Sequence, residues 1–291
     1  MTEGTIIKGI GGFYYVRDAA GIITECKARG RFRKEGLAPA IGDSVTVSDH
    51  GNGFPSIDSI APRKNLLVRP VVANIDRLLI VLSASAPEPD WLLADKLLIQ
   101  AQMNAIEPVL VLNKCDEGAD TVISQFQSDF APFAQYLVSA RTGEGTEQLE
   151  QCLATGITCF AGQSAVGKST LINRLIPGFD AKTGDLSRKT ERGRHTTRHA
   201  ELIPYGDGAL LDTPGFSLYD CPDAEQDVLD TCYPEFRGYA GNCRFSGCMH
   251  ISEPGCAVKD MLAHSGMTNA RYERYTILAK EIEQRRKHRY D

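Results

Sequence analysis

The decapeptide Ala161-Gly162-Gln163-Ser164-Ala165-Val166-Gly167-Lys168-Ser169-Thr170 decides how this chain is read. It follows the pattern G-x-x-x-x-G-K-[ST], with an apolar run at 157–160 before it and a helix-like segment at 171–175 after it. Strand, glycine-rich loop and helix, in that order, build a phosphate site. Gly162 and Gly167 let the backbone turn tightly, so that successive N–H groups face a polyphosphate, and the helix beginning near Gly167 adds the positive end of its dipole. Lys168 reaches toward the β- and γ-phosphates in such a site, and the Ser169 hydroxyl completes a Mg²⁺ shell of water and phosphate oxygens. Residues 162–170 are therefore the first candidate nucleotide-binding residues. The competing reading, a glycine-rich loop that matches by accident, does not account for the flanks.

The rest of the 291-residue chain is long enough for two or three domains with their own cores. Its longest apolar run, 78–86, falls well short of the ~20 residues of a membrane span, and its first residues carry Glu3, Lys8 and Arg17 rather than a secretory leader. A cytoplasmic protein is expected. The net charge of −5 argues against wholesale coating of nucleic acid. Nine cysteines in such a compartment are expected as thiols or metal ligands rather than disulfides.

Upstream of the phosphate loop the pattern changes once. Residues 1–68 predict five short strands, at 5–7, 13–17, 22–28, 43–48 and 56–60, separated by glycine turns; this suits an OB-fold barrel. Lys27, Arg29, Arg31, Arg33 and Lys34, with Phe32 among them, suggest a nucleic-acid face, against the plainer reading of a solvated charged loop. After Arg69-Pro70, strands alternate with amphipathic stretches, which predicts an α/β domain over 69–219 with a parallel sheet. Strands are expected at 78–82 and 109–112, and a helix over 91–104 capped by Asp90.

The strand at 109–112 runs into Asn113-Lys114-Cys115-Asp116. In this N-K-x-D, the Asp116 carboxylate can accept two hydrogen bonds from guanine, one from N1–H and one from the 2-amino group. Adenine offers neither donor. The Lys114 stem can lie along the purine, and Asn113 can tie the base loop to the phosphate loop. At the carboxyl end of a strand in the same domain as a phosphate loop, the motif gains force. A later strand at 136–138 leads to Ser139-Ala140, the slot in which GTPases set backbone N–H groups against the guanine oxygen.

Beyond the phosphate loop, residues 178–200 lack apolar periodicity and carry many Lys and Arg. Thr196-Thr197 at the end of this loop can close over Mg²⁺ and the γ-phosphate, Thr197 serving as a metal ligand. A predicted hairpin, 201–204 and 209–211, ends in Asp212-Thr213-Pro214-Gly215, a D-x-x-G whose Asp212 holds Mg²⁺ through water and whose Gly215 N–H senses the γ-phosphate. Base-reading motifs thus precede phosphate motifs, the reverse of an ordinary GTPase. A circular permutation resolves this, with the turn at 151–156 joining the usual chain ends.

From Asp220 the composition shifts again, and residues 220–291 are expected as a mainly helical metal-binding domain. Cys243, Cys248, His250 and Cys256 offer three thiolates and an imidazole within fourteen residues, a tetrahedral set for one structural Zn²⁺; His264 is a more distant competitor for the fourth position. A helix over 268–290 ends in the basic run Arg285-Arg286-Lys287-His288-Arg289.

With N-K-C-D at 113–116, G-Q-S-A-V-G-K-S-T at 162–170, G-R-H-T-T at 193–197, D-T-P-G-F at 212–216 and the cysteine–histidine cluster, the chain closely resembles a bacterial family, the circularly permuted ribosome small subunit-dependent GTPase A. The resemblance spans the OB-fold, the GTPase domain and the zinc domain. It implies GTP hydrolysis stimulated by the small ribosomal subunit, contacts to its rRNA, and a role in late subunit maturation. Two departures bear on mechanism. Phe216 stands where many GTPases place a water-orienting Gln, so His195 becomes the family-based candidate for the attacking water, beside Lys168 and Thr197. Ala165 replaces an Asn that helps some ribosome-assembly GTPases bind K⁺, and a methyl group ligates no ion. A zinc-stabilised RNA-binding module whose guanine pocket acts only as an occupancy switch remains the alternative. A monomer is expected, with no membrane partner.

Overall fold

In the computed structural model, residues 1–34, 36–49, 51, 53–68, 71–179, 200–211, 226–262 and 266–289 are described. Near the N-terminus, β1 (Thr2–Ile10), β2 (Phe13–Asp18), β3 (Ile23–Ala28), β4 (Ser44–Ser48) and β5 (Ser56–Ile60) close into a barrel of order β1-β2-β3-β5-β4. Its pairs are antiparallel except β3 with β5, and β1 returns to β4 to complete the ring. That connectivity is OB-like. Period-two alternation turns Ile6, Val16, Cys26, Val45, Val47 and Ile57 inward to fill the barrel. The five expected strands are present, with ends shifted by a few residues.

One expected surface feature is corrected. Between β3 and β4 the chain makes a one-turn helix, α1 (Gly30–Lys34), and this turn rotates Phe32 into the barrel core, where it is 4% exposed. Phe32 therefore does not stand exposed beside Lys27, Arg29 and Arg31, although the Arg31 guanidinium reaches over its ring at 5.2 Å. The rings beside the basic strand are Phe13 and Phe54. Register pairs Phe13 with Lys27, and the Lys27 ammonium lies 4.7 Å and 4.8 Å from the Phe13 and Phe54 ring centres. Phe54 is 53% exposed.

A two-stranded ribbon, β6 (Leu66–Val68) and β7 (Val71–Ala73), follows the barrel. The next elements are β8 (Arg77–Ser83), α2 (Trp91–Met103), β9 (Glu107–Asn113), α3 (Asp120–Asp129), β10 (Ala134–Leu137), α4 (Thr146–Leu153), β11 (Ile157–Ala161), α5 (Lys168–Leu175), β12 (Leu202–Tyr205) and β13 (Gly208–Leu211). They form a six-stranded sheet of order β10-β9-β8-β11-β13-β12, parallel except for the β12–β13 hairpin. The central strand β8, Arg-Leu-Leu-Ile-Val-Leu-Ser, is apolar from Leu78 to Leu82 because both its faces are covered. Leu78, Ile80 and Leu82 pack with Leu97, Phe126 and Phe130 on one face, while Leu79 and Val81 pack with Leu149, Leu153, Leu171 and Ile172 on the other. Asp90 caps α2, its carboxylate accepting from the Leu93 N–H at 2.9 Å.

The C-terminal region comprises α6 (Gln226–Thr231), α7 (Ala257–Met261) and the long α8 (Asn269–Arg289). It is tied to the six-stranded sheet domain by a buried ionic cluster. Asp95 of α2 accepts from Arg271 Nη1 at 2.5 Å and from Arg274 Nε; Asp129 of α3 accepts from Arg274 Nη1 at 2.9 Å; Glu235 accepts from Arg271 Nε at 2.6 Å. Arg271 is 1% exposed and lies against the rings of Phe130, Phe133 and Tyr233. At the other end, Lys8 of β1 pairs with Glu201 at 2.5 Å, linking barrel to sheet. No helix among the described residues is long and apolar enough to cross a membrane.

Candidate functional site

β9, β8 and β11 are adjacent and parallel, so the loops that leave β9 and β11 emerge at the same edge of the sheet with only β8 between them. Ligands of open α/β sheets bind at this carboxyl edge. The topology therefore brings together two motifs some fifty residues apart in sequence, whichever comes first along the chain.

After β11 the chain passes so close to β8 that a Cβ on Gly162 would stand 2.2 Å from the Val81 carbonyl oxygen, and Gly162 has φ +128°. Only glycine fits there. Gly167, φ +97°, is the second such point, where a Cβ would lie 2.3 Å from Asn113 Nδ2. Between them Val166 is buried in the core and anchors the loop. The Lys168 ammonium folds back over the loop, donating to the carbonyls of Gly162 and Gln163 at 2.7 and 2.6 Å. Ser169 and Thr170 follow in the first turn of α5, with Ser164 and Ala165 at the exposed crest of the loop.

Asn113 joins three segments. Its Nδ2 donates to the Val166 carbonyl at 2.9 Å, and its Oδ1 accepts from the Ala140 N–H at 3.0 Å. Lys114, in the left-handed region at φ +63°, donates to Ala86 O at 2.6 Å and to Ala165 O at 2.9 Å. Cys115 is held by its backbone N–H on Val138 O and its thiol on Leu112 O, which sets the next residue, Asp116, at the rim. The Ser139 hydroxyl, against a smaller opposing effect of burial, and then the Arg141 guanidinium hold the Asp116 carboxyl below the ordinary carboxylate range. It is ionised at neutral pH and presents acceptors only.

His195, Thr197, Asp212 and Gly215, with Phe216 and the basic residues of 180–199, lie outside the described residues. So does His264.

The second cluster lies in the C-terminal region. The ligating atoms of Cys243, Cys248, His250 and Cys256 all fall within 4.8 Å of one another. His250 Nδ1 is 3.4 Å from Cys243 Sγ and 3.3 Å from Cys256 Sγ, and those two sulfurs are 3.9 Å apart. A tetrahedron with Zn–S of about 2.3 Å and Zn–N of about 2.0–2.1 Å has edges near 3.8 Å and 3.6 Å. The donor set and its spacing therefore fit a single ion of that size. His250 Nε2 faces Asp230 Oδ2 at 3.1 Å, which fixes the ring with Nδ1 toward the sulfurs, the usual support of a metal-bound imidazole. Glu253 gathers the N–H groups of Met249, Ile251 and Ser252 at 2.8–3.0 Å and so shapes the turn between the ligands.

Sequence reasoning passed over three groups that the fold makes prominent. Arg141 contacts Asp116, and its only sequence signal is adjacency to Ser139-Ala140. Asp230 supports His250 from twenty residues upstream. Phe13 and Phe54 flank Lys27 only because the β2–β3 register and the return of the chain before β5 put them there.

Residues 60–222 match the RsgA GTPase family and residues 3–54 match the RsgA N-terminal domain. Across the full length, the chain is 44% identical to the small ribosomal subunit biogenesis GTPase RsgA of Ruminiclostridium cellulolyticum, covering 97% of this chain and 94% of that one. It is 39% identical to the protein of the same name from Halalkalibacterium halodurans, covering all of both. Among solved structures, it resembles YjeQ from Thermotoga maritima with a TM-score of 0.84 at 32% identity, over 97% of this chain and 98% of that chain. It also resembles YloQ, described as a circularly permuted GTPase, with a TM-score of 0.80 at 31% identity, over 98% and 96% of the two chains.

Proposed function

Because the chain belongs to the RsgA GTPase family, we propose that it binds GTP across the carboxyl edge of β9, β8 and β11 and assists late maturation of the small ribosomal subunit. As a member it is a GTP hydrolase, which sets aside the reading as an occupancy switch alone. The finer reading assigns residues 1–68 to an rRNA-binding barrel, 69–219 to the permuted GTPase domain and 220–291 to a zinc domain.

The observation that carries the nucleotide assignment is the side chain of Asn113, hydrogen-bonded at one end to the phosphate loop and at the other to Ala140. It fixes the distance between a base reader and a phosphate cradle, so that Asp116 and Lys168 hold the two ends of one nucleotide. The N–H groups of residues 162–168 and the Lys168 ammonium take the phosphates. The carboxylate of Asp116 takes the guanine donors, while the Ser139-Ala140 turn, fixed by the Ala140 N–H on Asn113 Oδ1, flanks the base. A Mg²⁺ ion held by Ser169, Thr197 and Asp212 would neutralise charge developing on the transferred phosphoryl group. Phosphate positioning falls to Lys168 and Thr197, and water positioning to His195. Zinc on Cys243, Cys248, His250 and Cys256 is structural, since four protein ligands leave no coordination position for a reactant.

On the barrel, Phe13 and Phe54 with Lys27 between them supply aromatic faces and a cation where an unpaired rRNA base can stack. Hydrolysis is slow alone and stimulated by the subunit, docking favouring the hydrolysis-competent state over others. Turnover of GTP with and without purified small subunits tests this: stimulation supports it, and equal rates overturn it. Loss of subunit affinity in Phe54→Ala, with basal turnover intact, tests the barrel's part.

A further inference from the structure

Arg141 sits at the carboxylate assigned to the base. Its Nη2 donates to Asp116 Oδ2 at 2.5 Å, and its Nη1 lies 2.9 Å from Glu117 Oε1, so one planar guanidinium bridges two consecutive carboxylates. The bridge is lopsided. The Asp116 side chain is 13% exposed, whereas those of Glu117 and Arg141 are 47% and 69% exposed. The enclosed end is the one that matters for a ligand.

The guanine edge that Asp116 would receive carries N1–H and a 2-amino group on the same carbon. It contains a guanidine unit, and it presents two N–H donors in the same fork as arginine does. The Asp116 carboxylate already takes the Ser139 hydroxyl, so the fork of guanine donors and Arg141 Nη2 compete for the acceptor sites that remain. We propose that Arg141 is an internal competitor for Asp116, a residue that sets how tightly and how fast a guanine nucleotide is taken. This rests on the assignment of Asp116 as the base acceptor and deepens it.

The surroundings allow the exchange. Glu117 keeps hold of Nη1 when Nη2 is displaced, so the guanidinium swings toward solvent still paired, while the Asp116 carboxylate exchanges a cationic donor for two neutral guanine donors and keeps the Ser139 hydroxyl. The backbone that carries Arg141 is fixed independently of its side chain: Thr142 N–H donates to the Ser139 hydroxyl at 3.1 Å and Gly143 N–H to the Ser139 carbonyl at 2.8 Å. Substituting residue 141 therefore leaves the Ser139-Ala140 turn in place. A solvent-facing ion pair is worth little, so its competition weakens binding by only about two- to fivefold.

The test is association and equilibrium binding of a fluorescent GDP analogue to the full-length wild type, Arg141→Met, Arg141→Lys and Asp116→Asn. Arg141→Met is expected to bind about two- to fivefold tighter than wild type, mainly through faster association. Arg141→Lys, which keeps charge but not the fork, should fall between them. The gap between Arg141→Met and wild type should narrow from about 0.05 M to about 0.5 M salt, as the pair is screened. Binding that is unchanged or weaker in Arg141→Met at low salt overturns the proposal. If binding also depends on Asp116, only the competitor role falls. A wild type that binds no guanine nucleotide overturns the underlying assignment and this inference together.

Discussion

Asp95→Asn cuts the buried ionic junction between the GTPase sheet and α8. The carboxylate of Asp95 is buried on α2 and takes hydrogen bonds from both Arg271 and Arg274. Without its charge, two guanidinium groups share only Asp129 and Glu235, and Arg274 Nη2 and Glu235 Oε2 already lack partners among the described residues. Removing one member of a buried ion pair costs about 3–5 kcal/mol, because the other charges remain desolvated. The asparagine oxygen retains one acceptor, so the cost stays within that range. An unfolding entropy of about 2.1 cal/mol/K per residue, over 291 residues, gives roughly 0.6 kcal/mol/K, so the midpoint should fall by about 5–8 °C. The single tryptophan, Trp91, opens α2 and packs, tilted by 38°, with its ring centre 6.1 Å from that of Phe130, which itself lies under both arginines. Its fluorescence reports this junction directly. A thermal melt followed at Trp91 should show the drop, with partial recovery when Asp95→Asn is combined with Arg274→Gln. A shift under about 1 °C would refute the reasoning, since it would mean that these charges are solvated in solution.

Gly162→Ala should weaken GDP binding at least about tenfold by calorimetry, since its Cβ meets the Val81 carbonyl at 2.2 Å and the φ of +128° strains any side chain. Glu253 is the clearest pH probe: burial alone would raise its carboxyl, but the N–H groups of Met249, Glu253 itself, Ile251 and Ser252 hold it at about 2, below its ordinary 4.5. A depressed carboxyl stabilises above its unfolded value and loses that contribution as pH falls through the folded one. The urea stability of wild type should therefore exceed that of Glu253→Gln by about 1–2 kcal/mol at pH 7, allowing for solvent screening, with the difference shrinking between about pH 4.5 and about pH 2. Chelation should release one zinc per chain, measured by a colorimetric dye, and Cys256→Ser should purify with less; retained metal in that variant would contradict the four-ligand assignment.

Much of this architecture was legible because it is written locally. The glycine spacing of the phosphate loop, the apolar run of β8, the cap at Asp90 and the Cys–His spacing each depend on neighbours within a turn or a strand. Phe32 was misplaced for the same reason: counted along the chain it stands among cations, but α1 turns it inward. Contacts made across the fold leave no local trace. Arg271 meets Asp95 over 176 residues and Asp230 meets His250 over twenty, so their types alone suggest solvated charges. Lys27 gains its aromatic neighbours through the register of β2 against β3 and the return of the chain before β5, which composition does not specify.

The central claim is that Asp116 and Lys168, fifty-two positions apart, hold opposite ends of one guanine nucleotide. Competitive binding of GDP and xanthosine diphosphate to wild type and Asp116→Asn tests it most directly, because the amide reverses one donor–acceptor pair at the base and leaves the phosphate loop untouched. A swing in preference from guanine toward xanthine by roughly a hundredfold is predicted. Equal preference in both proteins would contradict the account.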